Sequence, residues 1–273
     1  SSQPDLFTAV DIETHKDFVA TFFTNLKTAV EHYAQTQGSS FLTNKTRDTI
    51  TFLELLTTKY DVATANPPYT DGGDFGPELK EFIEENYKKP EKFHTNLYAA
   101  FIRRCLELTG TLGKIAMIHP RTFMFIKTFE DVRKFMIEKT QINIFVDYSL
   151  SNLFGTIMVD PAFYVLEKGI VKERETLFIS LDQYTRTPNE KYKKEFCLQA
   201  ITDYVNGIKN EHNFNIPQAK LKIIKSWPFI YWISDEFRKK FGASPLEKVA
   251  AIVSGVKTGN NNGALRYWWE LDD

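Results

Sequence analysis

Short apolar strands alternating with amphipathic helices predict an α/β sheet for this chain. Three observations carry the prediction. Tyr60–Ala65 reads as a buried strand that runs straight into Asn66-Pro67-Pro68-Tyr69, and two successive prolines cannot continue a ladder. Apolar strand patterns then recur at Lys114–His119, Ile142–Tyr148 and Ala162–Glu167, with helical patterns between the first of them. The last two strands are joined without a long helix, so one of them is expected to be antiparallel.

A first helix is predicted from Ile12 to Gln35, because Phe18, Phe22, Leu26 and Val30 recur every fourth residue, with Phe23 and Tyr33 widening the stripe. Gln37-Gly38-Ser39-Ser40 ends it. A second helix is expected over Thr46–Thr57, where Ile50, Leu53 and Leu56 share a face. After the first strand, Thr70–Pro77 is a glycine-rich loop, and helices are expected over Glu78–Tyr87 and Asn96–Leu108, with Asn96 or Thr95 as N-cap. Gly110 and Gly113 mark a turn into the strand Lys114–His119, which Pro120 stops. A helix over Thr128–Lys139 leads to Ile142–Tyr148, and a loop through Asn152, Phe154 and Gly155 leads to Ala162–Glu167. Beyond Gly169 the pattern loosens.

With 42% hydrophobic and 25% charged residues, the 273-residue chain has the balance of an ordinary globular protein of one domain or one and a part. Its net charge of −1 excludes a polycation, so any nucleic-acid surface must be a local patch. Candidates for a phosphate-contacting edge are Lys191, Lys193 and Lys194; Lys220, Lys222 and Lys225; and Arg238, Lys239 and Lys240, though each group taken alone reads first as solvated surface. Cys105 and Cys197 stand apart in apolar segments and read as reduced core thiols. No apolar run approaches membrane-spanning length and no signal peptide precedes the first helix, so a cytoplasmic protein is expected. The His and carboxylate positions lack metal-ligand spacing, so no metal is expected. The opening Ser1-Ser2-Gln3 carries no initiator Met and suggests a piece of a longer chain.

The chemistry lies in Asn66–Tyr69. An exocyclic aromatic amine is a poor nucleophile because its lone pair is delocalised into the ring. Two acceptors on the amine hydrogens can draw the nitrogen toward tetrahedral geometry, and an Asn side-chain oxygen with a backbone carbonyl can supply them. A proline at the next position keeps that carbonyl aimed, and a terminal aromatic can stack on the base. Asn66 Oδ1 and the Pro67 carbonyl are the candidate acceptors, Pro68 stiffens the loop, and Tyr69 covers the ring. Positioning and polarisation would do the work, without a nucleophilic Cys or Ser. Taken alone the motif is also a plain strand-ending turn; its place at the carboxyl end of a strand in an α/β sheet, where ligands bind, raises the functional reading.

Tyr60–Tyr69 (YDVATANPPY) resembles motif IV of the bacterial DNA adenine-N6 methyltransferases, of the large fused restriction–modification type and of bacteriophage-exclusion systems. Gly113–Phe123 (GKIAMIHPRTF) resembles a later strand of those enzymes, and Asn152–Leu166 (NLFGTIMVDPAFYVL) their motif VIII. Thr57–Tyr69 and Thr128–Arg133 (TFEDVR) are most similar to the exclusion-system enzymes, and Val256–Glu270 to the stretch leading into a target-recognition domain. The resemblance implies a partial S-adenosylmethionine-dependent methyltransferase sheet, Rossmann-like, with an antiparallel last strand and the start of a further domain. It divides the chain into a helical segment (1–59), part of the catalytic core (60–170), a helical or irregular extension (171–245) and the start of the target-recognition region (246–273). It also implies that Phe154 stacks on a flipped base, that S-adenosylmethionine is the cofactor and double-stranded DNA the substrate, and that other restriction or phage-defence subunits are partners.

One departure matters. The family's glycine-rich cofactor turn is absent upstream of Asn66, where the only glycine is Gly38. Asn66 would therefore touch only the edge of the cofactor site, and the isolated fragment is expected to be inactive. Other readings stay open at this point. Protein-glutamine and RNA adenine methyltransferases use the same or related loops, and the piece could be a non-catalytic DNA-binding or assembly module. Phe154 also reads as a core aromatic and His119-Pro120 as a structural turn, while Lys257-Thr258-Gly259 has the wrong order for a phosphate loop. Trp268 and Trp269 read as packing for the next domain.

Overall fold

The computed structural model describes residues 9–37, 40–149, 151–154, 157–169, 174–182, 190–243 and 248 of the chain. The expectations placed on residues 246–273 therefore lie almost wholly outside the described residues. Two helices open the chain, α1 (Ala9–Gln37) and α2 (Ser40–Thr57). They are tied to each other by the ion pairs Lys27–Glu54 and Arg47–Glu31, with Phe23 and Ile50 buried.

The sheet follows: β1 (Tyr60–Ala65), β2 (Thr109–Pro120), β3 (Thr140–Asp147), β6 (Pro161–Lys168), β7 (Glu175–Ser180) and β8 (Asn213–Pro217), in spatial order β1-β2-β6-β3-β7-β8. Connection length decides direction. The crossovers from β1 to β2, through α3 (Pro77–Tyr87) and α4 (Leu97–Leu108), and from β2 to β3, through α5 (Glu130–Lys139), return the chain to the same end of the sheet. Hence β1 and β2 are parallel, with Ala63 opposite Ile115 and Ala65 opposite Met117. Residues 148–160 instead turn back at once, through the two-stranded ribbon β4 (Ser151–Phe154) and β5 (Ile157–Val159). So β6 enters antiparallel to both neighbours, Tyr164 lying opposite Met117 on one side and Phe145 on the other. That is the antiparallel strand expected from the sequence.

One face of the sheet holds the main core. Ile115, Met117, Phe145, Tyr164, Leu166 and Phe178 meet Ile102 and Leu106 of α4 and Val132 and Met136 of α5. Arg133 of α5 is also buried, and its guanidinium donates to the carbonyls of Phe123 (2.6 Å), Ile126 (2.7 Å), Ser226 (2.8 Å) and Trp227 (3.1 Å). Burial pulls its pKa down to about 10. On the opposite face α6 (Glu190–Val205) covers β3 and β7, with Cys197 and Ala200 against Val146, Leu177 and Ile179. Beside it an open apolar trough of about 570 Å³ runs across Ala116, Ile118, Phe163 and Val165 toward Asn66. Both cysteines are buried thiols.

Three features differ from the sequence expectation. The core does not stop near residue 170, because β7 pairs with β3 and β8 with β7, so the expected helical or irregular extension supplies two strands of the same sheet. Strand β2 starts at Thr109, so Gly110 and Gly113 lie inside it rather than in a turn before it. The register between β1 and β2 slips there, between Tyr60 and Val62, where Leu112 adopts φ 58°. Finally, the Asn152–Phe154 loop is partly the β4–β5 ribbon. A second unit begins at Ser234. Its short helix α7 (Asp235–Lys240) is capped by Ser234 Oγ, which accepts from Phe237 N at 3.2 Å.

Candidate active site

Because β1, β2, β3 and β7 run the same way, one edge of the sheet collects their carboxyl ends: Ala65, Pro120, Asp147 and Ser180. The antiparallel β6 starts at that edge, with Pro161 opposite Pro120 and Ala162 opposite Asp147. The Asn66–Tyr69 loop and the β4–β5 ribbon therefore emerge on the same side. They are separated by the width of β2 and β6, roughly 10 Å at the usual strand spacing.

Asn66 is exposed, immediately past the last ladder residue of β1, and Pro67 is buried beneath it. The Tyr69 hydroxyl donates to Asn66 Oδ1 at 2.9 Å. Partial burial raises the Tyr69 pKa, so the phenol stays a donor at neutral pH. The loop then docks on the start of α4. Leu97 N donates to the Thr70 carbonyl at 3.0 Å, and Asp71 pairs with Asn96 as an antiparallel bridge. Asn96 is the N-cap that the sequence offered as one of two choices, its side chain accepting from Tyr98 N at 3.1 Å.

At the ribbon end of the same edge is a charge cluster that sequence reading missed. Arg121 follows Pro120 and donates to Asp147 Oδ1 at 2.7 Å, with Asp182 at 3.6 Å and Asp160 at 3.9 Å. Burial lifts the Asp147 pKa more than Arg121 and the Tyr231 hydroxyl pull it down. For Arg121, burial works downward, but the three carboxylates outweigh it and raise the pKa. Backbone bonds close the ribbon's base, Arg121 N donating to Asp160 O at 2.6 Å and Tyr148 N to Pro161 O at 3.1 Å. The one available signal was charge at strand ends: an Arg directly after the strand-stopping proline and an Asp at the end of an apolar run.

The other expected site residues divide. Phe154 has its backbone in β4, at the correct edge, but its side chain lies outside the described residues. Lys220 and Lys222 belong to a 3-10 segment that Gln218 pins to the amino end of β3, through Ile142 N (2.9 Å), Ile137 O (2.7 Å) and Thr140 O (2.8 Å). They lie at the opposite end of the sheet from Asn66. Lys222 pairs with Glu138 at 3.3 Å and sits over the Trp227 ring. Those lysines, with Lys225 close behind them, are not brought together with the Asn66–Tyr69 loop. Lys193 is no surface contact at all: it is buried, and its Nζ donates to the Tyr148 carbonyl at 2.8 Å.

Among the described residues β1 pairs only with β2 and forms one edge of the sheet. The described residues place the Asn66–Tyr69 loop, with Asn66 exposed, at the carboxyl end of β1. Among them no three His, Cys, Asp or Glu side chains cluster as a metal site would, and no helix is long and apolar enough to cross a membrane.

The chain is similar to the adenine-specific methyltransferase PglX of Lacticaseibacillus casei (strain Zhang), at 24% identity over 229 residues, covering 82% of this chain and 18% of that protein. It is similar also to the adenine-specific methyltransferase BrxX of Escherichia coli O9:H4 (strain HS), at 24% identity over 220 residues, covering 80% and 17%. To the type II methyltransferase M.AccI of Acinetobacter calcoaceticus it is 24% identical over 208 residues, covering 74% and 36%. The chain spans less than a fifth of the length of the first two relatives. The model of the Eco57I restriction-modification methylases matches residues 8–154, more than half of the chain and the whole stretch from α1 through the Asn66–Tyr69 loop to β4, and the chain belongs to that family.

Proposed function

We propose that this chain carries the base-binding half of a DNA adenine-N6 methyltransferase that uses S-adenosylmethionine and serves a restriction or phage-defence system. One observation carries the reading: the exposed Asn66 amide stands at the carboxyl end of β1, and its Oδ1 already accepts a hydrogen bond from Tyr69.

An adenine extruded from the duplex, at a cost of a few kcal/mol, would present its N6 amine to this loop. One amine hydrogen goes to Asn66 Oδ1 and the other to the Pro67 carbonyl. In the free loop the Tyr69 hydroxyl takes the place of the first of these donors, so base entry exchanges one donor for another and finds the acceptor already oriented. Once released, the Tyr69 ring can lie on the base, and Phe154 on the neighbouring ribbon can close the other face. S-adenosylmethionine supplies a methyl group activated on a sulfonium. The acceptor groups of this chain need only hold N6 in line with it and let the lone pair localise.

The test is Asn66→Ala in the complete enzyme. Methylation of adenine-containing duplex should fall by about 100-fold or more, with DNA affinity nearly unchanged. An unaltered turnover removes Asn66 from the mechanism. If label appears instead on a protein glutamine or on RNA, the loop keeps its role and the acceptor changes.

A further inference from the structure

We propose that Asn96 and Asp71 form a latch that fixes the Asn66–Tyr69 loop, making Asn96 a positioning residue for methyl transfer; this rests on the function proposed above. The loop is the short span between two anchored points. Before it, Ala65 is locked in the ladder opposite Met117. After it, Thr70 O accepts from Leu97 N at 3.0 Å and Asp71 Oδ1 accepts from Asn96 Nδ2 at 2.6 Å. The chain continues as tightly: Asp74 N donates to Asp71 O at 2.9 Å, and a Cβ on Gly72 would lie 3.2 Å from the His94 carbonyl and 3.3 Å from that of Thr95. With φ restricted at Pro67 and Pro68, fixing both ends leaves the loop little freedom.

The second anchor is itself rigid. Asn96 is buried, and α4 behind it is core: Ile102 is fully enclosed, and the Tyr98 ring stacks on His119 with centroids 4.3 Å apart. The chemistry of Asn96 is also specific. Capping α4 needs only a side-chain acceptor, which Ser or Asp supplies as well. Binding the Asp71 carboxylate at the same time needs a donor on the same side chain, and Asn carries donor and acceptor on two separate atoms, a reach that the single, shorter hydroxyl of Ser or Thr lacks. Since Oδ1 is committed to Tyr98 N, Nδ2 must face Asp71. A residue chosen only to start a helix would not need its second group.

Asn96→Asp separates the two roles, because it keeps the cap and replaces the donor with a carboxylate facing Asp71. In the complete enzyme, N96D should lower kcat for adenine methylation roughly a hundredfold, the scale of a misplaced catalytic group, while KM for DNA stays near wild type. Its rate relative to wild type should climb as pH is lowered, since two facing carboxylates can share a proton. Adding D71N restores a donor–acceptor pair with the partners exchanged, and should recover most of the lost rate. Asn96→Ser, a second cap-preserving variant, should match N96D in rate but without its pH dependence. Full activity in N96D, or a loss that D71N does not relieve, overturns the latch. Asn66→Ala run alongside keeps the outcomes apart: an active N66A sinks the reading of the site, whereas an inactive N66A with a fully active N96D sinks only the latch.

Discussion

His119 is fully buried, stacked on Tyr98, with Nε2 2.7 Å from the Tyr164 hydroxyl and Nδ1 3.1 Å from the Pro120 carbonyl. A neutral imidazole satisfies both partners, donating from Nδ1 to the carbonyl and accepting at Nε2 from the phenol. Burial holds its pKa down at about 4, against 6.5 for an ordinary histidine. The unfolded chain therefore binds a proton at a pH where the folded one refuses it. The resulting stability is complete above about pH 6.5 and is lost as pH falls toward 4, a term on the order of 3 kcal/mol. Urea midpoints measured from pH 7 down to 4.5 should fall accordingly. His119→Phe should flatten that dependence while imposing a constant cost from the orphaned Tyr164 hydroxyl, and an equally steep profile in the variant would assign the acid sensitivity elsewhere. The sequence reads His119-Pro120 as a structural turn; both residues instead belong to β2, with His119 opposite Ala162 and packed among aromatic rings.

Among the elements, those with strong local signals were legible: the helix over Leu97–Leu108, the prolines that end β1 and β2, and the antiparallel β6 inferred from a short connection. What escaped depends on partners distant in sequence. Strand β8 (NFNIP) alternates polar and apolar residues but is only five residues long, too short a pattern to stand out, and it is a strand because β7 offers it an edge, with Phe178 opposite Phe214. In α6 the exposed Phe196 and Leu198 dilute the face carrying Cys197 and Ala200, so its period is weak. The bulge in β2 was hidden by its own glycines, which look like a turn. There a Cβ on Gly113 would fall 2.6 Å from Thr109 Cβ and 3.0 Å from the Gly110 carbonyl. Gly113→Ala should therefore destabilise the chain by about 1–3 kcal/mol, a cost typical of overpacking. A chemical-denaturation midpoint equal to wild type would mean that the bulge relaxes freely. In the candidate site, the pairing of Asn66 with Tyr69 was readable because the two lie in one four-residue run. The Arg121 cluster was not, since its members come from the ends of separate strands.

At the scale of the molecule, apolar side chains stand in solvent at several places. Phe18 and Phe22 of α1 are 67% and 52% exposed, Phe52 of α2 59%, and Val62 on the edge strand β1 58%. Surfaces of this kind drive association. The chain alone should sediment as concentration-dependent oligomers, and the double substitution Phe18→Glu/Phe22→Glu should shift it toward monomer; an unchanged profile would clear α1 of responsibility. The insertion of β6 between β2 and β3 bears on how the protein is born. As the polypeptide leaves the ribosome, β2 and β3 emerge with a strand-wide gap between them that nothing yet synthesised can fill. β2 can pair with β1, but β3 has no neighbouring strand until residue 168 is free, when β6 can zip down β3 as a local hairpin and join it to β2 in the same movement. A nascent chain stalled short of that point would hold the β1–β2 pair and β3 unjoined, a substrate for chaperones, and the two sides of the sheet's carboxyl edge would meet only once β6 is in place.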